Sequence, residues 1–492
     1  MMLNFLSQKE YEKLAGDNRA VVVYREIPGD RITPTGAFRS LGGQAKGAAL
    51  LESGLVGHLG RYSFLHFNPV FEVRAENRKL TINERGETRT VEGVPFDLLR
   101  KLQTDRAPVS SHFLSRYTGG LIGYMGYDSV RLFENIPDRH LQKDSPAEIV
   151  FRSYQDTVAF DHQTGKAVVS TLVQAGGNHD KSYNDAMTRI DAIVGSLMDT
   201  PARNGNDRIS NQAVKLDIQE TMDDQAFKEI VDKAKRYIRA GDVFQVVLSR
   251  TFEVPFTAEP FDVYRALSLI SPSPFMFYLD LGDQVIIGAS PEKLVSLEAG
   301  VLESCPLAGT RPRGEGGHDL ALETELFNDH KERAEHMMLV DLARNDLGVI
   351  SKPGSVKVNE LMKIKRFSHV MHISSTVTGS LEQGRDAFDA LRHTFPAGTL
   401  SGAPKIRAME IIDELETARR NVYGGAVCAI DINGNLNSCI IIRTSVFADG
   451  IASVRAGAGI VADSDPQCEA DETRHKARSV IEAIALAEGG LA

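Results

Sequence analysis

The sequence predicts an α+β fold in which large antiparallel sheets are flanked by helices. Strand-like runs are separated by hairpin turn signals, and helical patterns come between groups of strands. The dipeptides Asn433-Gly434 and Asp449-Gly450 separate three such runs near the end of the chain. This order argues against a doubly wound parallel sheet, in which single strands and helices alternate.

Composition places the chain among soluble globular proteins. It has 492 residues, of which 42% are hydrophobic and 25% charged, and this length suits two large domains or three average ones. The net charge of −10 argues against nucleic acid or an anionic membrane as the main partner, although a local basic patch could still bind a small anion. The four cysteines lack metal-ligand spacing and suit a reducing compartment. We see no signal peptide and no apolar run long enough for a membrane span, so we expect a cytoplasmic protein.

A polar segment without periodicity, 200–211, is the candidate linker between two regions, 1–205 and 215–490. Before it, strands are predicted at 21–24, 48–51 and 63–67, a hairpin at 150–173, and helices at 96–102 and 181–197. After it, a strand is predicted at 243–252, a three-stranded antiparallel meander at 422–432, 436–447 and 451–460, and a final helix at 467–487.

One helix of the second region carries signals at both ends. The run Thr221-Met222-Asp223-Asp224 resembles a capping box and predicts a helix that continues through Arg239. Gly241 is placed to end that helix in a left-handed conformation. The Asn433-Gly434 dipeptide further on is a type I′ hairpin signal.

Two carboxylate pairs with the same spacing lie in helical patterns of the second region. Glu332 and Glu335 form the first pair, and Glu469 and Glu472 form the second. The i,i+3 spacing places both acids of a pair on one helix face, so two such faces could close around a divalent cation. Oxygen-only ligands favour magnesium over zinc. Two solvated helix faces are the plain alternative.

Three further features suit an anionic ligand. Gly457-Ala458-Gly459 follows a strand without opening a helix, so we interpret it as bare backbone N–H groups near a carboxylate, with a tight strand end as the alternative. The small-residue loop 396–405 opens a helix and could bind an anion there, or be an ordinary loop. Arg443 lies in an apolar run, so burial should pair it with a carboxylate of a ligand or of the protein.

Histidines carry less information by themselves. His372 lies in a strand-like run, where a buried structural histidine is the more common finding than an acid–base group. His330, Glu335 and His336 could suggest zinc, but their spacing matches no zinc motif.

Taken together, these segments resemble the chorismate-utilising enzymes, and among them the large subunits of anthranilate synthase. The matching stretches, in family order, are GDVFQVVLSR, PLAGTRPRG, EHMMLVDLARNDLG, RFSHVMHISS, PAGTLSGAPKIRAMEII, VYGGAV, CIIIRTSV, AGAGIVADS and EADETRHKAR. They span most of 224–488. The resemblance implies a sheet sandwich with flanking helices, in which 215–490 is the chorismate-binding domain and 1–205 carries a possible effector site.

The resemblance also implies roles for individual residues. Glu335 and Glu472 match magnesium ligands, with Glu332 and Glu469 as supporting carboxylates. The implied substrate-binding residues are Gly309, Tyr423, Arg443, Gly457, Ala458, Gly459 and Lys476. The implied catalytic residues are Gln245, Thr310, His372 and Thr399, with His372 serving pyruvate elimination. The implied reaction converts chorismate and ammonia to anthranilate and pyruvate through 2-amino-2-deoxyisochorismate.

Two positions separate branches of the family. Gln245 stands where relatives that add water have a lysine base, and ammonia with its own lone pair does not need one. Ala308 stands where aminodeoxychorismate synthases have a nucleophilic lysine. No glutaminase signature surrounds any of the four cysteines, so the resemblance implies a separate glutamine amidotransferase subunit. The alternatives are a synthase that stops at the aminated intermediate, and a non-catalytic anion-binding protein.

The family's tryptophan effector site is matched with changes. The corresponding residues are Leu51, Glu52, Ser53, Pro272, Phe275 and Met276. Ser271 and Phe275 replace an asparagine and a tyrosine, which removes two hydrogen-bonding groups. Asn437-Ser438 stands where the family usually has Asp-Thr. The resemblance therefore does not by itself imply feedback inhibition, and a feedback-insensitive relative serving secondary metabolism is a further alternative.

Overall fold

The computed structural model describes residues 3–16, 19–42, 46–54, 60–76, 79–84, 86–106, 108–109, 120–142, 145–174, 178–199, 214–314, 319–366 and 370–490. The linker candidate 200–211 lies outside the described residues. Among the helices of the described segments, none is long and apolar enough to cross a membrane.

Helices occupy both regions of the chain. They are α1 (Gln8–Ala15), α2 (Pro34–Leu41), α3 (Pro95–Arg106), α4 (His179–Met198), α5 (Asp224–Ala240), α6 (Pro260–Ile270), α7 (Asp319–Asn328), α8 (His330–Gly348), α9 (Ala387–Thr394), α10 (Gly398–Ser401), α11 (Lys405–Leu415) and α12 (Pro466–Glu488). The predicted helices at 96–102, 181–197 and 467–487 correspond to α3, α4 and α12.

The strands of the first region are β1 (Val21–Pro28), β2 (Ala49–Glu52), β3 (Tyr62–Glu76), β4 (Lys79–Glu84), β5 (Glu87–Val91), β6 (Leu121–Met125), β7 (Ile149–Asp161) and β8 (Lys166–Val173). Those of the second are β9 (Gln219–Glu220), β10 (Gln245–Pro255), β11 (Phe275–Asp280), β12 (Val285–Ser290), β13 (Lys293–Glu298), β14 (Val301–Ser304), β15 (Leu307–Pro312), β16 (Lys357–Arg366), β17 (Val370–Ser380), β18 (Gly402–Ala403), β19 (Ala426–Ile430), β20 (Leu436–Ile440), β21 (Thr444–Ala448) and β22 (Ile451–Ile460).

The strands form two antiparallel arms joined through β3 and β7. One arm follows the pairings β10–β22–β21–β12–β11–β2–β3, and the other follows β7–β6–β19–β20–β13–β14–β17. Apolar side chains of both arms meet in one core, which includes Phe277 and Ile286 from the first and Val427 and Cys439 from the second. The predicted antiparallel sandwich is therefore confirmed.

Helices cover the outer faces of this sandwich. Side chains of α4, α6 and α12 pack on the first arm in one large core, and side chains of α3, α8 and α9 pack on the second arm in another. Strands of the two sequence regions pair directly, since β2 lies beside β11 and β6 beside β19. The boundary between 1–205 and 215–490 stays a prediction.

The long pair β10–β22 provides the floor of the site. Its register runs from Val246 opposite Ile460 to Pro255 opposite Ile451. Since side chains alternate between the faces of a strand, Gln245 and Ser249 share one face with positions 457 and 459. Glycine at both of these positions leaves the floor without side chains at that end.

The predicted meander is wrong in its middle. The run 436–447 is two strands, β20 and β21, which pair with β13 and β12 and not with each other. The break falls at Arg443, whose φ of 52° is incompatible with an extended strand. An apolar run gives no sign of such a break, because the left-handed residue is an arginine and not a glycine.

Two turn and cap predictions are also wrong in detail. The cap of α5 is Asp223, whose carboxylate accepts from the Ala226 N–H, while the Thr221 hydroxyl donates to the Thr251 carbonyl. At Asn433-Gly434 only Gly434 has a positive φ, so the turn is not type I′. Both Asp449 and Gly450 have positive φ, as a type I′ turn requires. Gly241 ends α5 with a φ of 86°, as predicted.

Candidate active site

The two carboxylate pairs lie in the first two turns of α8 and α12, with Glu332 and Glu469 in the first turn of each helix. Asp329 caps α8 and Asp465 caps α12, each through side-chain oxygens that accept from backbone N–H groups. Burial and the neighbouring Glu335 raise the pKa of Glu332. The pKa of Glu469 is raised in the same way, by burial and by Glu472. Arg311, 3.5 Å from Glu332, opposes the rise at the first pair only in part.

The two helix starts face each other. The Lys331 ammonium on α8 lowers the pKa of Glu469 on α12, against the effect of burial. Lys476 Nζ lies 2.7 Å from Glu472 Oε1 and so supplies positive charge to the second pair. Within the described part of the chain, no three acidic, histidine or cysteine side chains already converge tightly enough to hold a metal.

Gln245 connects the sheet floor to the first carboxylate pair. Its Nε2 donates to Glu335 Oε1 over 2.9 Å, and the side chain is buried. A Cβ at position 459 would lie only 2.7 Å from that Nε2 atom, so Gly459 is the residue that makes room for the amide. Ala458 between the glycines packs into the core on the opposite face, which leaves only its backbone for a ligand.

Arg443 is a half-buried cation at the other end of the floor. One guanidinium nitrogen donates to the Lys476 carbonyl over 3.0 Å, and Lys476 Nζ donates to the Gly457 carbonyl over 3.0 Å. Burial lowers the pKa of Arg443, and the nearby Glu472 only partly opposes this. Arg443 forms no ion pair with any described residue. An anionic ligand would supply the missing charge.

Tyr423 stands beside Arg443 and Gly457. Its ring is buried, and burial raises the pKa of the phenol to about 12, so the hydroxyl stays protonated and can donate a hydrogen bond. A Cβ at position 457 would lie 2.8 Å from that hydroxyl oxygen. The bare backbone at Gly457 is what allows this approach.

His372 lies on β17, directly opposite Thr310 on β15. Its Nδ1 lies 2.9 Å from the Gly309 carbonyl oxygen, which can only accept, so Nδ1 carries the proton. Burial lowers the pKa of His372, and the charge of Arg443 lowers it further. The ring is therefore neutral at pH 7, with its basic lone pair on Nε2. Gly309 also lies against Glu332, since an added Cβ would be 3.1 Å from Glu332 Oε2.

Glu292 is a site residue that the sequence analysis missed. It lies between β12 and β13, is 8% exposed, and burial raises its pKa to about 8. The Thr399 hydroxyl and the Lys476 charge oppose that rise only in part. The Thr399 oxygen is buried and makes no hydrogen bond of standard geometry with the described residues. The available signal was an acid two residues after the strand-like run 285–290, comparable to the charge that follows the apolar run before Arg443.

The zinc alternative finds no support in the placement of its residues. His336 is fully buried, and its Nε2 lies 2.6 Å from the Ser375 hydroxyl. Glu335 is instead hydrogen-bonded to Gln245.

The residues of the predicted effector site surround a separate cavity of about 110 Å³. Leu51, Glu52, Ser53, Phe275 and Met276 line it, and Pro272 does not. Asn437 and Ser438, whose significance was open from sequence, line the same cavity. The Glu52 carboxylate accepts a hydrogen bond from the Tyr264 hydroxyl, and burial raises the pKa of Glu52.

Comparison with known proteins identifies the family of the chain. Residues 49–482 match the family of chorismate binding enzymes. Anthranilate synthase component 1 of Acetivibrio thermocellus is 43% identical over 96% of this chain and 97% of its own length. The Streptomyces coelicolor protein of the same name is 44% identical over 96% and 91%. The crystal structure of anthranilate synthase component I from Streptococcus pneumoniae superimposes with a TM-score of 0.77 at 38% identity, over 92% of this chain and 98% of that one.

The chain therefore belongs to the chorismate binding enzymes. Its relatives at about 40% identity over nearly their whole length are called anthranilate synthase component 1.

Proposed function

We propose that the chain converts chorismate and ammonia to anthranilate and pyruvate. The observation that carries this proposal is a half-buried arginine without an ion pair among the described residues, on a floor that also meets Glu335 through Gln245 and Glu472 through Lys476. Such a site suits a dicarboxylate substrate, with one carboxylate at Arg443 and the other at a metal held by acids. Chorismate is a dicarboxylate, and the full-length relatives are anthranilate synthases.

Glu335 and Glu472 would hold a magnesium ion, with Glu332 and Glu469 as supporting carboxylates. The fit rests on the donor set, which is all oxygen, and on the raised pKa values of Glu332 and Glu469, which a cation would relieve. When bound, magnesium would polarise the ring carboxylate of chorismate and ease the departure of its C4 hydroxyl.

The second carboxylate, on the enolpyruvyl group, would accept hydrogen bonds from Arg443 and from the Tyr423 hydroxyl. The backbone N–H groups at Gly457 to Gly459 lie on the same floor. Desolvation strengthens a charge-assisted contact of this kind, so Arg443 would fix the orientation of the substrate.

Glu292 would donate the proton that the departing C4 hydroxyl needs. With a pKa of about 8 it is mostly protonated at pH 7, and a carboxylic acid in that state can act as a general acid. Thr399 beside it would orient the hydroxyl group. Ammonia would form its bond to C2 while the C4 hydroxyl leaves as water, and the Gln245 amide would position the incoming nitrogen without acting as a base.

His372 would serve the second half-reaction. Its neutral ring presents a basic Nε2 because Nδ1–H is held by the Gly309 carbonyl. Removal of the C2 proton by Nε2, with cleavage of the C3–O bond, would release the enol of pyruvate and leave the aromatic ring. For Thr310, whose backbone pairs opposite His372, a place in the ring pocket rests on the family resemblance alone.

Ammonia would come from a separate glutamine amidotransferase subunit. The name of the relatives, component 1, supports a second component. None of the four cysteines has the surroundings of a glutaminase nucleophile.

The test is incubation of the pure chain with chorismate, magnesium and excess ammonium. Fluorescent anthranilate and an equal amount of pyruvate are expected. Consumption of chorismate to a non-aromatic amine would replace the proposal with the synthase that stops at the aminated intermediate. No consumption, with or without a glutaminase subunit, would leave the anion-binding alternative.

A further inference from the structure

Arg420 is a fully buried cation next to the proposed active site. It lies between α11 and β19, and its side chain is only 1% exposed. The Tyr423 N–H donates to the Arg420 carbonyl over 3.1 Å, so the two residues begin and end one backbone turn. No step of the proposed reaction involves this guanidinium.

The guanidinium connects two chain segments that carry polar groups of the site. Its Nη2 donates to the Val247 carbonyl over 2.6 Å, and its Nη1 donates to the Leu400 carbonyl over 2.5 Å. Val247 lies on β10, two residues after Gln245, and Leu400 directly follows Thr399 in α10. Because α10 has only four residues, it has few hydrogen bonds of its own, and the contact with Arg420 helps to fix it against β10.

The same guanidinium also lies over the ring of Tyr423. Its Cζ atom is 5.7 Å from the centre of that ring and 4.6 Å from the centre of the Tyr127 ring. A cation within about 6 Å of an aromatic face is attracted to it, and more strongly where both groups are desolvated. Arg420 therefore constrains the ring whose hydroxyl is proposed to bind a substrate carboxylate.

An ion pair keeps the guanidinium in one orientation. Nε and Nη2 donate to the Glu416 carboxylate over 3.0 and 2.7 Å, and Glu416 also accepts from Arg455 and from Ser249. A guanidinium presents five N–H donors in one rigid plane, so it can reach a carboxylate and two carbonyls at once. The pair with Glu416 balances the charge of Arg420, and the two carbonyl contacts are additional to that pair.

We propose that Arg420 is a positioning residue, which holds Tyr423 and the Thr399 segment in place relative to the floor strand β10. The inference rests on the proposed function and includes no contact between Arg420 and the substrate. Tyr423 would bind the enolpyruvyl carboxylate, and Thr399 would orient the hydroxyl group beside Glu292. One guanidinium thus couples the carboxylate contact to the proton donor, and a misplacement of about 1 Å in such groups lowers a rate by about 100-fold.

The test replaces Arg420 by lysine, which keeps a positive charge for Glu416 and loses the planar fork. R152K is the matched control, because Arg152 is also buried and joins the Glu72 carboxylate to backbone carbonyls at the β3–β7 pair. Chorismate binding to the pure chain, with magnesium and without ammonia, is measured by titration calorimetry. R420K is expected to bind chorismate roughly tenfold more weakly than the wild type, because the hydrogen bond from Tyr423 is misplaced. R152K is expected to bind it as the wild type does.

A second background shows whether Arg420 acts through the Tyr423 hydroxyl. Y423F alone is expected to weaken chorismate binding, and R420K is expected to add less than about a further twofold in that background. Lost stability, which denaturant unfolding measures, would lower the amount of folded protein equally in both backgrounds and leave the dissociation constant unchanged. An equal factor for R420K in the wild-type and Y423F backgrounds, or wild-type affinity in R420K, would overturn the proposal.

Turnover with excess ammonium tests the contact with the Thr399 segment. R420K is expected to lower kcat by roughly 10- to 100-fold, and by a much smaller factor in the T399A background. R152K should keep the wild-type kcat per folded molecule. An unchanged kcat in R420K would overturn this half of the proposal.

A second pair of variants replaces R420K if that protein does not fold. Y127L removes the ring over which the guanidinium lies and leaves every charge in place, whereas Y127F keeps the ring. The Tyr127 hydroxyl makes no hydrogen bond of standard geometry with the described residues. Y127L is expected to weaken chorismate binding several-fold and Y127F to leave it unchanged, and equal affinities of the two would overturn the proposal.

Failure of the wild type to make anthranilate would count against the proposed function. The comparison of chorismate binding needs no turnover, so the two failures can be told apart.

Discussion

Replacement of Glu292 by glutamine should remove a proton donor. It should also remove the buried negative charge that the carboxyl acquires at high pH. The wild-type carboxyl has a pKa raised by burial from 4.5 to about 8. At pH 7 it is protonated in about nine molecules of ten. If its proton assists departure of the C4 hydroxyl, E292Q should lower kcat by about 10²- to 10⁴-fold. Wild-type kcat should also fall as the pH rises above about 8, and this alkaline limb should be missing in E292Q.

The same shift predicts an effect on stability whose sign can be worked out. Between pH 4.5 and about 8 the folded protein binds more protons at Glu292 than the unfolded chain does. Stability is therefore lost as the pH rises through this range, by an amount on the order of 5 kcal/mol. E292Q keeps a neutral group of the same shape and avoids that loss.

The assay compares denaturant unfolding and ammonium-dependent anthranilate formation from pH 5 to pH 9. E292Q should resemble the wild type in stability near pH 5 and exceed it by a few kcal/mol at pH 9. E87Q, at an exposed position of β5, is the matched control and should follow the wild type throughout. An E292Q protein with wild-type activity, or with the same loss of stability at high pH, would refute the assignment of Glu292 as a buried acid.

Four further substitutions probe the remaining parts of the site. E335Q and E472Q should abolish detectable turnover and weaken magnesium binding measured by calorimetry; full activity in either would remove that residue from the metal site. R443Q should raise KM for chorismate by roughly 10- to 150-fold, the value of about 1.5 to 3 kcal/mol for one charge-assisted contact, and an unchanged KM would place the carboxylate elsewhere. H372N should slow release of pyruvate more than consumption of chorismate, so that an aminated, non-aromatic product accumulates in product analysis; equal slowing of both steps would contradict its assigned role.

Local signals in the sequence predicted part of the secondary structure. Hairpin glycines, helix caps and periodicity act over a few residues, so α5, α12 and β22 could be located from neighbouring residues alone. The same reasoning failed at Arg443, where a left-handed arginine splits one apolar run into β20 and β21. That conformation is stabilised by contacts from elsewhere, such as the Ala289 N–H that donates to the Arg443 carbonyl.

The family resemblance identified residues, and the fold decided which of them meet. Gln245 and Glu335 are 90 positions apart and share a hydrogen bond. The sequence offered no interpretation of Asn437, which differs from the residue usual in the family. The structure places Asn437 in the lining of the effector cavity. Register and packing bring such residues together, and neither is visible in a motif.

The sequence by itself predicted the class of fold, and it marked the carboxylate pairs and the candidate anion-binding positions, because these depend on spacing and residue type. Only the tertiary structure decided the protonation of Glu292, since its pKa depends on burial by strands and helices distant in the chain.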